Sequence, residues 1–139
     1  MIKPKVLFLC SGNSCRTQIA EAFLRDLAGD RFEITSAGSE ATPLDPEAVE
    51  AMLELGIDIS GHRSKKVDPF FAVKFTFVIT LCDRQHERTC PIFPGAIWRQ
   101  QWNLENPAAV EEPGEHRQSV RRVRDQLRQH VTQFVSEHA

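Results

Sequence analysis

Residues 10–18 read CSGNSCRTQ and follow directly on the apolar run KVLFL at residues 5–9. A strand that turns into a helix through such a stretch aims consecutive backbone N–H groups at one point. The helix dipole adds positive potential there, so the turn favours an anion. Gly12 permits backbone geometry that other residues resist, and Asn13 is among the few non-glycine residues that tolerate positive φ. Arg16 presents a planar fork of donors suited to two oxygens of a tetrahedral oxyanion. Cys10 stands at the centre of this field. A thiol at a helix N-terminus beside an arginine loses its proton well below the ordinary cysteine value of about 8.5, and the thiolate is then a nucleophile aimed at the bound anion. Thr17 has a hydroxyl to offer that sulfur. The loop Ser11, Gly12, Asn13, Ser14, Cys15, Arg16 and Thr17 is therefore expected to be an oxyanion cradle with Cys10 as its attacking group.

Other uses of these residue types fit less well. A nucleotide-binding loop needs a Lys-Ser/Thr pair after its glycine, which this stretch lacks. Cys10 and Cys15 could form half of a structural zinc site with Cys82 and Cys90, but seven residues separate the second pair and Arg16 adjoins the first. A buried, inert cysteine at a strand end is common, and that reading is preferred for Cys15, which points along the new helix.

The elements that must hold the loop are legible as a pattern. Residues 5–9 are a short apolar run bounded by turn residues, hence a buried strand. Ile19, Ala20, Ala22, Phe23 and Leu27 then recur at helical steps up to a stop at Gly29. Residues 31–38 alternate as a second strand, and Asp45 caps a helix with Pro46 in its first turn and Gly56 as its terminator. Asp68 and Pro69 start a short helix, residues 75–81 form a third strand, and residues 96–104 form a weaker fourth. Val120, Val123, Leu127, Val131 and Phe134 give a packed terminal helix whose arginines form a solvated face. Strands alternating with helices imply an α/β fold in three layers, a four-stranded parallel sheet flanked by helices. Ligands bind such sheets at the carboxyl ends of the strands, where Cys10 and Cys82 would face one crevice.

Bulk properties bound the class. A chain of 139 residues, 41% hydrophobic and 26% charged, makes one globular domain, 1–139, that buries a core without staples. A net charge of −2 speaks against a nucleic-acid or membrane-surface partner. No targeting or membrane-spanning run is visible, so a cytoplasmic protein is expected, in which cysteines serve redox or metal chemistry rather than structural disulfides.

The stretch VLFLCSGNSCRTQIAEAFLR resembles the opening of the low-molecular-weight tyrosine phosphatase superfamily, and more closely its arsenate reductase branch, which carries serine and glutamine where this chain has Ser14 and Gln18. SAG at 36–38, GIDISGHRSK at 56–65, FVITLCD at 77–83, CPIFPG at 90–95 and QWNLENPA at 101–108 continue the likeness. The resemblance implies a low-molecular-weight phosphatase-like fold with one anion site at the Cys10 loop. It implies that Cys10 attacks arsenate, that Cys82 attacks Cys10 and expels arsenite, and that Cys90 attacks Cys82 and carries the disulfide to thioredoxin. The chemistry explains the extra thiols: reduction of arsenic takes two electrons, and a resolving thiol supplies what one sulfur cannot. Related branches that use glutathione or mycothiol do without the third cysteine, so Cys90 points to thioredoxin. The resemblance also implies a monomer. No cofactor and no metal are expected. His86 and Arg88 lie in the polar stretch between Cys82 and Cys90 and are read as exposed loop residues.

Two departures bear on the reaction. The family carries an aspartate as general acid immediately before the proline that is Pro107 here, but this chain has Asn106, preceded by Glu105. An amide cannot deliver a proton, so either Glu105 reaches in or that step runs with weaker assistance. The chain also has no tyrosine, whereas tandem tyrosines occur in many phosphatases of the family. Both departures favour arsenate reduction, with weak phosphatase activity, over the alternative of a phosphotyrosine or aryl phosphate phosphatase whose Cys10 is redox-protected. A non-catalytic oxyanion- or redox-sensing module is the third reading. Asn13, Glu21 and Ser36 match a potassium site of some reductases, but Lys65 stands where a carboxylate is needed and no ion is expected.

Overall fold

Val6, Leu7, Phe8 and Leu9 are apolar on both faces of one strand, a pattern that fits only the middle of a covered parallel sheet. The structure is a computed structural model that describes residues 2–83, 87 and 91–138. In it these residues form β1 (Lys5–Cys10) at the interior of a four-stranded sheet of order β2-β1-β3-β4. The other strands are β2 (Glu33–Gly38), β3 (Phe75–Thr80) and β4 (Ala96–Gln101), and every pairing is parallel. The helices are α1 (Arg16–Ala28), α2 (Pro46–Leu53) and α3 (Pro113–His138), with 3₁₀ turns at Asp68–Phe70 and Pro107–Ala109.

Alternation along the strands divides the interior in two. Val6, Phe8, Ile34, Phe77 and Ile79 join α1, α2 and α3 in the larger core. Leu7, Leu9, Ala37 and Val78 face a smaller core closed by Val67, Phe93 and, partly buried, Phe70 from the first 3₁₀ turn. The terminal helix buries Val120, Val123, Leu127, Val131 and Phe134 as its spacing predicts, together with Ser119. Four of its five arginines are paired rather than merely solvated: Arg117 reaches Glu47, Arg121 and Arg124 both reach Glu54 just past α2, and Arg122 reaches Glu105.

Boundaries differ slightly from the pattern. Asp45 caps α2 by accepting from the Glu47 amide at 2.9 Å, but the helix ends at Leu53, before the expected Gly56. Gly56 takes φ 78 in the reversing turn that follows, where the Ile57 amide returns to the Met52 carbonyl at 3.0 Å. β4 stops at Gln101: the Trp102 amide makes the last ladder bond, to the Thr80 carbonyl at 2.9 Å, and the ring enters the larger core. No helix among the described residues is long and apolar enough to cross a membrane.

Parallel register places the carboxyl ends of β1 and β3 side by side: Leu9 pairs Thr80, and the Leu81 amide donates to the Leu9 carbonyl at 2.8 Å. Order reverses at β1, between β2 and β3, so a crevice opens where Cys10 leaves the sheet. The α3 face clamps this arrangement from behind. Leu127→Ala, at a fully buried α3 position, is expected to lower unfolding free energy by about 2–5 kcal/mol in urea denaturation without altering the strand order.

Candidate active site

The loop from Cys10 to Arg16 is built by satisfying its carbonyls from outside. The amides of Ser39, Glu40, Thr42 and Asp45 donate in turn to the carbonyls of Cys10, Ser11, Gly12 and Ser14, at 3.2, 2.9, 3.0 and 2.9 Å. Among the described residues no protein acceptor takes the amides of Gly12, Ser14 or Cys15. The peptide units therefore turn their oxygens to the stretch after β2 and leave these N–H groups for an anion. Gly38 makes that approach possible, since a Cβ there would lie 2.9 Å from the Asn13 amide, the Ser11 carbonyl and the Glu40 carbonyl. Nothing in the spacing of the loop itself marks Gly38 for this task.

Asn13 is the hub. It adopts φ 55, as its residue type allows. The positive φ falls there and not at Gly12, whose tight contact is instead with Thr42: a Cβ at Gly12 would meet the Thr42 hydroxyl at 3.2 Å. The Asn13 carboxamide oxygen accepts from the Lys65 amide at 2.8 Å and from Gln18 Nε2 at 3.1 Å. Its Nδ2 donates to Thr17 Oγ1 at 2.8 Å. The Thr17 hydroxyl lies 3.3 Å from Cys10 Sγ, and toward the thiolate, which can only accept, it donates its hydrogen. The Asn13 amide donates to the same sulfur at 3.2 Å. Cys10 is 2% exposed and a free thiol, so its sulfur is held by two donors at the floor of the loop. Gln18, which helps fix Asn13, also accepts from His62 Nδ1 at 3.0 Å and donates to the Arg63 carbonyl at 2.9 Å. Residues 62–65 are thereby tied to the loop, a link that only the folded chain reveals.

Arg16 is 3% exposed. Its Nη1 donates to the Leu81 carbonyl at 3.0 Å and the Leu104 carbonyl at 3.2 Å, beyond the ends of β3 and β4. Both Nη groups also pair with Glu87, Nη2 to Oε2 at 2.8 Å. Burial works against the charge, and Glu87 and the Cys10 sulfur outweigh it, so the guanidinium is held more firmly protonated than usual. Burial also raises Glu87, but Arg16, the Asp83 amide and Ser11 overcome it and keep the carboxylate below its ordinary value. Glu87 carries no sequence signal that singles it out.

A cavity of about 340 Å³ opens over the loop, lined by Cys10, Ser11, Gly12, Ser14, Cys15 and Arg16, by Ser39, Glu40 and Thr42 after β2, and by Asn106 and Ala108. Cys15 sits at its base in the larger core, where burial pushes the thiol far above its ordinary value, in keeping with packing. Asn106 lines the cavity while its side-chain oxygen accepts from the Ala108 amide at 3.2 Å. Glu105 does not reach in. Its carboxylate accepts from Ser119 at 2.7 Å and from Arg122 at 2.9 and 3.0 Å, on the α3 side, and the Arg122 bond leads in holding it below its ordinary value. It is ionised and turned away, so the option that it replaces the missing acid is not supported by its placement.

Cys82 is fully buried one residue beyond Leu81, whose carbonyl holds Arg16, and it is disulfide-bonded. Cys90, His86 and Arg88 lie outside the described residues. Of the residues matched to a potassium site, Glu21 has both carboxylate oxygens engaged, by Ser36 at 2.6 Å and by Arg25 at 2.9 Å, and the Lys65 ammonium donates to the Arg63 carbonyl at 3.1 Å.

His116 in the first turn of α3 ties Asp45 to Pro107, which stands between the cavity residues Asn106 and Ala108. Its Nε2 meets Asp45 Oδ2 at 2.8 Å and its Nδ1 meets the Pro107 carbonyl at 2.7 Å. Both partners are acceptors, so both ring nitrogens must donate and the imidazole is cationic. Burial lowers its pKa, but Pro107 and Asp45, with Glu47 behind, raise it above the ordinary 6.5.

Residues 5–138 match the family described as low molecular weight phosphotyrosine protein phosphatase. A protein named arsenate reductase from Shouchella clausii is 41% identical over 136 residues, covering 97% of each chain. One of the same name from Bacillus licheniformis is 40% identical over 136 residues, again 97% of each. A solved structure of an arsenate reductase in the phosphate binding state superposes with TM-score 0.82 at 32% identity, covering 98% of this chain and 99% of that one.

Two consequences are testable. Gly38→Ala forces a methyl against three backbone atoms, so it is expected to weaken inorganic phosphate binding by about tenfold or more in calorimetry. For His116 the raised folded pKa means that its stabilisation is complete below its unfolded value of 6.5 and fades as pH rises through the folded value. Thermal melts of His116→Gln against the parent should therefore differ most near pH 6 and converge at alkaline pH.

Proposed function

The chain belongs to the low molecular weight phosphotyrosine protein phosphatase family, and within it we propose that this protein reduces arsenate to arsenite by a relay through Cys10, Cys82 and Cys90, recycled by thioredoxin. The observation that carries the reading is the pairing of an oxyanion cradle around Cys10 with a buried, disulfide-bonded Cys82 next to the carbonyl that anchors Arg16.

Arsenate enters with its oxygens on the free loop amides and on Arg16. The Cys10 thiolate attacks arsenic; a sulfur–arsenic bond forms and one oxygen leaves as water after protonation. Cys82 as thiolate then attacks the Cys10 sulfur. The sulfur–sulfur bond forms as the sulfur–arsenic bond breaks, its electron pair stays on arsenic, and As(V) departs as As(III) arsenite. Cys90 next attacks the Cys82 sulfur and releases the Cys10 thiolate. The disulfide then shared by Cys82 and Cys90 is reduced by the two thiols of thioredoxin. A structure with Cys82 disulfide-bonded and Cys10 free fits the point at which the nucleophile has been returned.

Two features favour this over hydrolysis of an aryl phosphate. Asn106 lines the cavity where a leaving phenolate needs an acid, and Glu105 is turned away to Ser119 and Arg122. Among the described residues the cavity lining holds no aromatic side chain to stack on an aryl ring.

The test is NADPH consumption with thioredoxin, thioredoxin reductase and arsenate. The parent protein should turn over, while Cys10→Ser, Cys82→Ser and Cys90→Ser should each lose multiple turnover. Multiple turnover surviving in Cys82→Ser would sink the relay. Faster release of phosphate from an aryl phosphate than reduction of arsenate would make hydrolysis the main reaction.

A further inference from the structure

Arg16 has five N–H donors in a rigid plane, and counting where they go shows what is left for a ligand. The two Nη1 hydrogens are shared by the Leu81 and Leu104 carbonyls and Glu87 Oε1. One Nη2 hydrogen goes to Glu87 Oε2 at 2.8 Å. Nε has no bonded acceptor among the described residues, and Arg16 lines the cavity whereas Glu87 does not. The end of the fork is therefore saturated from the protein side. Its Nε–Nη2 edge is the part that remains, and it matches two oxygens of a tetrahedral oxyanion.

We propose that Glu87 is the positioning residue of Arg16: its carboxylate grips the Nη1–Nη2 end of the guanidinium and so turns the Nε–Nη2 edge toward the Cys10 cradle. Glu87 is itself held, with the side chain 7% exposed. It accepts from Ser11 Oγ at 2.9 Å and from the Asp83 amide at 2.7 Å. Those partners are the first residue of the loop after Cys10 and the residue after Cys82. The grip thus comes from the stretch that joins Cys82 to Cys90, and the anion site and the thiol segment share one ion pair. Two carbonyls on Nη1 alone would leave the plane free to swing about that contact, while a bidentate carboxylate fixes it.

Charge and position make opposite forecasts. Removing a nearby carboxylate takes away repulsion for an incoming anion, so electrostatics alone would tighten phosphate binding in Glu87→Ala and Glu87→Gln. Loss of aim instead weakens it, and the positioning role expects a loss of about tenfold or more in Glu87→Ala. Glu87→Gln keeps one acceptor and loses the other, so it should fall between, and Glu87→Asp should recover part of the affinity.

The experiment is calorimetric titration of inorganic phosphate into the oxidised protein and the three variants, well below their melting temperatures, with circular dichroism to confirm the fold. Should the alanine variant not fold, the glutamine and aspartate variants decide by the same ranking. Equal or tighter phosphate binding in Glu87→Gln than in the parent overturns the proposal. The inference rests on reading the Cys10 loop as an oxyanion cradle. Absence of phosphate binding in the parent would overturn both, whereas parent binding that survives the substitutions unchanged overturns the positioning role alone.

Discussion

A guanidinium 3% exposed at the floor of a cavity is the constraint around which the rest of this site is arranged. Taking such a charge out of water costs several kcal/mol unless acceptors surround it, and the chain supplies them from far apart in sequence. Leu81 closes β3, Leu104 follows β4, and Glu87 adds the opposite charge. Each of the carbonyls lies just past a strand end, so Arg16 fixes how β3 and β4 finish as firmly as sheet pairing fixes how they run. The cavity exists because those ends cannot close over one another without stranding the charge.

The same logic runs through the loop backbone. An anion site made of amides needs its carbonyls satisfied elsewhere, and the chain after β2 answers with four donors in order. Asn13 then joins the sulfur, Thr17, Gln18 and residue 65 into one network, with every bonding atom of its carboxamide in use. Rigidity here is functional in kind: donors that already point at the anion need no reorganisation when charge develops on it.

What the sequence disclosed follows from how local each signal is. Strands, helices and their faces repeat at fixed periods, so the parallel sheet and the buried stripe of α3 were legible, with ends displaced by one to three residues where a turn bond intervened. The turn of the loop from β1 into α1 was legible because its residues are consecutive. Glu87, Gly38 and His116 were not, since each has a decisive partner at least 25 positions away and no periodicity encodes that meeting. Glu105 failed for the complementary reason. Adjacency to Asn106 suggested shared duty, but strand-like progression sends neighbouring side chains opposite ways, and Ser119 with Arg122 offered the carboxylate a better-paired place.

One cradle can serve hydrolysis or reduction, and the groups around it decide between them. Hydrolysis needs a proton at the leaving oxygen of an organic group and then a water to release the sulfur. Reduction needs the opposite: a second sulfur placed to break the first intermediate, and no water there before it. This chain puts an amide at the position for the acid and buries Cys82 completely beside the strand end that anchors Arg16. In the proposed relay Cys82, once reduced, would be shielded from solvent yet follow the strand next to that of the nucleophile, so its attack on a Cys10 adduct would compete with water on favourable terms. In that proposed relay the acid is dispensable for a physical reason, because the departing oxygen of arsenate belongs to an inorganic acid that exchanges protons with solvent, whereas an alkoxide or phenolate does not leave without one.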